Sequence, residues 1–397
     1  MKLLKNTITI FLILMALNLQ AQTWQEVASI LGDERHHPVT FSIDGFGYLV
    51  TGSNGDDDFS RYDPVADEWT QLTDFPGAAR GFSYGVTYEG KGYLGFGAQG
   101  TTRYKDLWEY DPTTETWTEL TPLPGVPRAH PAMIAGSGKI WVGLGSGPAG
   151  NLDDWWEYDI ATDSWEEQPD FPSFNRHHPY YFDIDGYPYV GFGHGQNIYR
   201  DFYKFDFEND EWIMLNAFPE EGRVAGTQFS HGGKGYILSG QGEDHEDLDT
   251  GEFWQYDPDT DSWEELTPHP WGSRWAPGSF VIEDNVYLLC GNKEVGGNQD
   301  DMWVANLPTP PVSTDDVIVE NQINISPNPT ADYFVLDTEV EIAQGSKVAV
   351  MDVQGKVVLS FDYESGKNYN VEVLASGTYI ITVSNQKESY TSKLFKQ

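Results

Sequence analysis

Arg35, Arg80, Arg128, Arg176, Arg223 and Arg274 each follow a tryptophan by eleven residues, the tryptophans being Trp24, Trp69, Trp117, Trp165, Trp212 and Trp263. Nine arginines lie between Gln22 and Leu307, so this single position takes six of them. A guanidinium presents a rigid fork of donors that fits a carboxylate, and a ring of them would favour a small anion such as a uronic or sialic acid. The competing reading is that duplication copied an arginine that pairs with acidic loop residues or caps carbonyls.

His37, His130 and His178 follow three of these arginines by two residues, each before a proline, and His36 and His177 adjoin them. Three imidazoles suggest a metal, but zinc requires nitrogens about 2 Å from one point. These come from the first, third and fourth repeats around a channel, so the expectation is that they do not converge and hold no metal or cofactor. They serve instead as aromatic hydrogen-bonding groups at a sugar site. The expected ligand-binding set is therefore the six arginines with His37, His130 and His178, and no catalytic residue is assigned. The acidic loops Gly52 to Asp58 and Gly242 to Asp249 have oxygen ligands for calcium but no ordered calcium-loop spacing, and read as solvated.

The elements that must position these groups are set by the tryptophans, which lie 45, 48, 48, 47 and 51 residues apart, one supersecondary unit repeated six times. In the second repeat, Arg80 to Tyr88 alternates as a strand, Glu89-Gly90-Lys91-Gly92 turns, and Tyr93 to Gly97 is a second strand. Leu107 to Tyr110 and Thr116 to Leu120 supply a third and a fourth. The second strands end at Gly52, Gly97, Gly145, Gly193, Gly240 and Gly291. The sixth repeat stops at Met302-Trp303-Val304 without a fourth strand, and Trp24-Gln25-Glu26-Val27 has the missing pattern, so the N-terminus is expected to close the ring and remove an exposed edge. The loops into the first strands and the loops between second and third strands then open on one face, with the arginines around the mouth of a central channel.

A net charge of -39 repels nucleic acid and anionic membrane surfaces. Residues 1–21 read as a signal peptide, with Lys2 and Lys5 before the apolar run Ile8 to Leu17, and no later segment is apolar enough to span a membrane. The lone Cys290 excludes an intramolecular disulfide, and its apolar surroundings mark it as a small core residue.

The tryptophan spacing, the Tyr-Asp-Pro after the third strand (Tyr62-Asp63-Pro64, Tyr110-Asp111-Pro112, Tyr256-Asp257-Pro258) and the arginine register resemble Kelch repeats over residues 22–307. The resemblance implies an all-β, six-bladed propeller closed by an N-terminal strand. It departs from the family where paired glycines end the second strand: here stand Thr51-Gly52, Phe96-Gly97, Leu144-Gly145, Phe192-Gly193, Ser239-Gly240 and Cys290-Gly291. The expected function is a non-catalytic recognition module for an acidic glycan or a protein. The enzymatic alternatives resemble sialic acid mutarotases, also six-bladed Kelch proteins, and, less closely, galactose-oxidase-like copper enzymes. The latter need a cysteine crosslinked to a tyrosine, for which Cys290 is the sole candidate and no matching tyrosine and histidine motif is found.

Residues 308–321 form a proline-rich, acidic linker. Residues 322–397 read as strands and turns of a small β-sandwich. From Pro327-Asn328-Pro329 through Gly355-Lys356 and Gly377-Thr378-Tyr379 to the terminal lysine, this segment resembles the type A sorting domain of type IX secretion in Bacteroidetes-type bacteria. The resemblance implies export through the periplasm to the outer surface or the medium, with the secretion machinery as partner.

Overall fold

The computed structural model describes residues 23–53, 56–307, 323–337, 342, 346–351, 357–384 and 389–396. Residues 1–21 and 308–321, expected from the sequence to be a signal peptide and a linker, fall outside them. The chain divides into two compact units, Met1–Pro308 and Thr309–Gln397.

The described residues of the first unit form six four-stranded antiparallel sheets and three short two-stranded ribbons, an all-β arrangement compatible with a propeller. One sheet shows how a repeat is built. Tyr84–Tyr88, Lys91–Gly95, Leu107–Asp111 and Thr116–Leu120 pair in sequence order through tight turns. The first strand is shorter than the alternation of Arg80 to Tyr88 suggests, because Phe82 has a φ of 60° and interrupts the extended backbone.

Gln25–Val27 pairs antiparallel with Met302–Asn306, completing the sheet that contains Gly278–Ile282 and Asn285–Leu289. The first strands of successive sheets lie against one another, and Val39–Ile43 also lies against Gly278–Ile282. Side chains tie these neighbours together: the Thr40 hydroxyl donates to the Ser279 carbonyl at 2.7 Å and the Thr87 hydroxyl to the Ser42 carbonyl at 3.1 Å.

The apolar core is distributed between adjacent sheets, as the pleated, two-faced strands require. Phe41, Tyr48 and Phe59 of the first repeat pack with Leu94 and Tyr110 of the second. Phe182 and Tyr189 of the fourth pack with Ile237, Trp254 and Tyr256 of the fifth. Gly92 seats one of these aromatics: a Cβ there would fall 2.7 Å from the Phe41 ring, so only glycine lets the sheets approach. Fourth-strand tryptophans reach the preceding repeat, with Trp69 Nε1 donating to Ala28 O at 3.1 Å and Trp165 Nε1 to Thr121 O at 2.8 Å.

The second unit holds a three-stranded sheet, Asn324–Ser326, Tyr333–Asp337 and Tyr369–Asn370, and a four-stranded sheet, Val357–Asp362, Lys347–Met351, Gly377–Ser384 and Ser389–Lys396. Phe334, Val348, Val350, Val371, Ile381 and Leu394 are fully buried in one shared core.

Candidate functional site

Each of the six arginines is buried and paired. Arg128 represents the set: Nη1 and Nη2 donate to both carboxylate oxygens of Asp154 at 2.7 and 2.6 Å, Nη1 also donates to Leu144 O at 3.1 Å, and Nε to Val126 O at 3.1 Å. Arg35, Arg80, Arg176 and Arg274 make the same bidentate contact with Asp58, Asp106, Asp201 and Asp301. Arg223 faces Glu252 instead, and the longer acid engages Nε and Nη2. Five of the guanidinium groups thus hold the end of the second strand to the start of the third, Arg223 bonding the Glu221 and Gly222 carbonyls instead, and a carboxylate already lies opposite each charge. Asp56 and Asp58 of the first acidic loop face Arg35, and Asp247 of the other accepts from the backbone N–H of Glu294 and from Gln241.

The same positions join one repeat to the next. The backbone N–H of each second-strand glycine donates to the carbonyl of the following repeat's arginine, at 2.9 Å for Gly97 to Arg128, 2.8 Å for Gly145 to Arg176 and 2.9 Å for Gly291 to Arg35. The residue before each glycine keeps a left-handed φ between 59° and 65°, including Thr51, Phe96, Leu144 and Cys290. The backbone shape that paired glycines adopt without strain is therefore retained by larger residues.

The residue two after each arginine also lies in the left-handed region: His37, Phe82, His130, His178, Ala225 and Ala276, with φ from 48° to 60°. Backbone bonds run between these equivalent positions, from His37 N to Ala276 O at 2.8 Å, from His130 N to Phe82 O at 3.2 Å and from His178 N to His130 O at 3.2 Å. Equivalent residues of different repeats are thereby drawn onto one small circle.

The histidines converge. One nitrogen from each of His37, His130 and His178 lies within 4.8 Å of the others, which corrects the expectation that repeats arranged around a channel hold them apart. His37 Nε2 is 2.7 Å from His178 Nε2, and His37 Nδ1 is 2.6 Å from His36 Nδ1. The rings of His130 and His178 have centroids 3.8 Å apart. Both ring nitrogens of His130 are shielded from solvent without a hydrogen-bond partner, as is Nδ1 of His177. Phe82 and Trp275 pack against His37, at centroid distances of 4.9 and 4.7 Å. From His177 the cluster runs outward through His194 to the exposed His245.

Burial keeps His36, His37, His130, His177 and His178 neutral. Loss of hydration lowers His36 and His177 to about 4, and holds His37, His130 and His178 well below the usual histidine range, with repulsion between the rings adding to the effect. A neutral imidazole keeps a lone pair on one nitrogen and a proton on the other, so the cluster can accept, donate or ligate near pH 7.

Below His37, a cavity of about 270 Å³ is lined by first-strand residues, among them Thr40, Tyr84, Ile134, Tyr181 and Gln228. Asp183 sits in its wall, accepts from the Ser230 hydroxyl at 3.1 Å, and is raised above the usual carboxylate range by burial. Cys290 is fully buried and its thiol is pushed up to about 12, which leaves no thiolate for chemistry near pH 7.

Residues 324–397 match the family described as a secretion system C-terminal sorting domain. No curated protein matches the chain at a significant level. No helix among the described residues is long and apolar enough to cross a membrane. The all-β second unit is thus the address of the molecule: the chain is exported by type IX secretion to the cell surface or beyond it.

Proposed function

We propose that the first unit is a six-bladed Kelch-type β-propeller, closed by its N-terminal strand, that works outside the cell as a non-catalytic recognition module for a carbohydrate or a protein. The pairing of Gln25–Val27 with Met302–Asn306 and the Gly291 to Arg35 bond support closure. The ligand binds on the face that carries the arginine and histidine register. The observation that carries this reading is the concentration there of His36, His37, Phe82, His130, His177 and Trp275, flat rings, all but Phe82 with a polar edge, suited to stacking on a sugar or a peptide. The arginines frame that face, and an acidic ligand engages them only by competing with their own carboxylates.

A glycan and peptide binding screen on the chain from residue 22 onward tests the reading. Binding that weakens at least about tenfold in Trp275→Ala, with the fold intact, supports it. Binding indifferent to Trp275 and His177 places the ligand elsewhere.

The neutral His37 and His178 pair favours one second reading, anomeric exchange of a sialic acid, because each imidazole is poised to take or give a proton. Proton NMR of sialic acid anomers checks it: exchange at the buffer rate removes it.

A further inference from the structure

We propose that His37, His130 and His178 form a binding site for one late first-row divalent metal ion, zinc or copper, at the axis of the first unit. The site is independent of which ligand the surrounding face recognises.

Three observations carry it. The first is geometric: ligand nitrogens around an ion with bonds of about 2.0–2.1 Å lie about 3.4 Å from one another in a tetrahedron. Here the His37 and His178 nitrogens are 2.7 Å apart and all three lie within 4.8 Å, so small side-chain rotations reach that spacing. The second is the state of His130. Two buried ring nitrogens without a partner are costly in a folded protein, and an ion at the centre of the cluster gives one of them a bond.

The third is the support around the ligands. A metal-bound histidine typically donates its other ring N–H to an outer acceptor that fixes its tautomer. His36 Nδ1 is 2.6 Å from His37 Nδ1 and takes that role. When His37 Nε2 binds the ion, its proton resides on Nδ1 and is donated to the His36 Nδ1 lone pair, while His36 carries its proton on Nε2. His178 likewise carries its proton on Nδ1. The proton that lies between the two Nε2 atoms in the ion-free contact moves to Nδ1 of the same ring by exchange with water, so every imidazole stays neutral, no net proton is released, and an ion enters without an oxidant or an external base. The left-handed backbone at all three positions and the packing of Phe82 and Trp275 restrict the rings before the ion arrives.

Three neutral nitrogen donors and no thiolate or carboxylate suit zinc or copper over magnesium or calcium. With three protein ligands, the fourth coordination position is left to water or to an oxygen of a bound ligand.

The test is titration of the full exported chain, produced without a histidine tag and stripped with chelator, with zinc, copper and cobalt chlorides. Calorimetry is expected to give one ion per chain, and cobalt to give the intense visible absorption of a tetrahedral site. His130→Phe keeps a ring in place and removes both unpartnered nitrogens, so it is expected to fold and to weaken zinc at least about 100-fold, beyond the usual effect of losing an outer-shell partner. His178→Ala is expected to do the same, while His245→Ala leaves affinity unchanged. Folding of each variant is read by circular dichroism. Zinc affinity within threefold of the parent in folded His130→Phe, or equal loss in His245→Ala, overturns the proposal.

Discussion

His37 Nε2 and His178 Nε2 lie 2.7 Å apart although 141 residues separate them in the chain. One must donate and the other accept, so the accepting ring must be neutral, and burial holds the donating ring neutral as well. It therefore has a pH signature that the surrounding sheets lack.

His36 and His177, at about 4 in the fold, and His37, His130 and His178, held lower still, take up protons near 6.5 once unfolded. The unfolded chain then binds more protons than the folded one between roughly pH 6.5 and 4, and stability falls as pH drops through that window. Above pH 6.5 the contribution is fully present. His130 faces His37, His177, His36 and Arg103, all of which oppose its protonation. Urea unfolding between pH 7.5 and 4.5 is expected to show the decline. His130→Phe should reduce its slope by up to about 1.4 kcal/mol per pH unit, the value of one proton. An unchanged slope in that variant contradicts the assignment.

The arginines predict a stability effect. The fully buried Arg128 forms a bidentate pair with the partly exposed Asp154 and also holds the Leu144 carbonyl. Removing one partner leaves the other charge uncompensated, which costs about 3–5 kcal/mol. Arg128→Ala and Arg176→Ala are each expected to lower unfolding free energy by that amount in denaturant titration. Loss of acidic glycan binding at unchanged stability would instead assign these guanidinium groups to the ligand.

The repeat was legible because Trp24, Trp69 and their equivalents mark it at nearly constant spacing. The partners of the arginines were not, because loops of different length place them at different offsets: Arg35 to Asp58 spans 23 residues, Arg128 to Asp154 spans 26 and Arg223 to Glu252 spans 29. The histidine convergence had a signal that went unused. His37, His130 and His178 share one offset from the arginine, so whatever direction one side chain takes, its equivalents take too. What the pattern did not reveal is that the backbone at this position is left-handed, as at Phe82 and Ala225, and that hydrogen bonds tie four of the neighbouring pairs together, Phe82 to His130 to His178 and Ala225 to Ala276 to His37.

The proposed closure by the N-terminus predicts a defined defect. Gln25–Val27 covers the edge of Met302–Asn306, and Trp24 packs against Phe253 and His269. A chain starting at residue 30 loses that tryptophan packing, about 3 kcal/mol, and bares a strand edge. The melting temperature is expected to fall by roughly 10 °C, at about 2–4 °C per kcal/mol. Light scattering should detect self-association through the open edge. A monomer with unchanged melting would mean that the last sheet does not depend on this strand.

Export predicts a separation between the two units. Leu394 is fully buried in the core of the second unit with Val348 and Ile381. A carboxylate in its place must shed its hydration without a partner, which the small core cannot compensate. Leu394→Asp is therefore expected to unfold the sorting domain and leave the chain in the periplasm, the same outcome expected of deleting residues 324–397. The first unit has its own core, so the retained protein should still show its cooperative unfolding transition and bind the one ion proposed for its histidine cluster. Fractionation of cells into periplasm, outer surface and medium reads the outcome. Normal release of Leu394→Asp would show that export depends on the segment's sequence and not on its folded sheets.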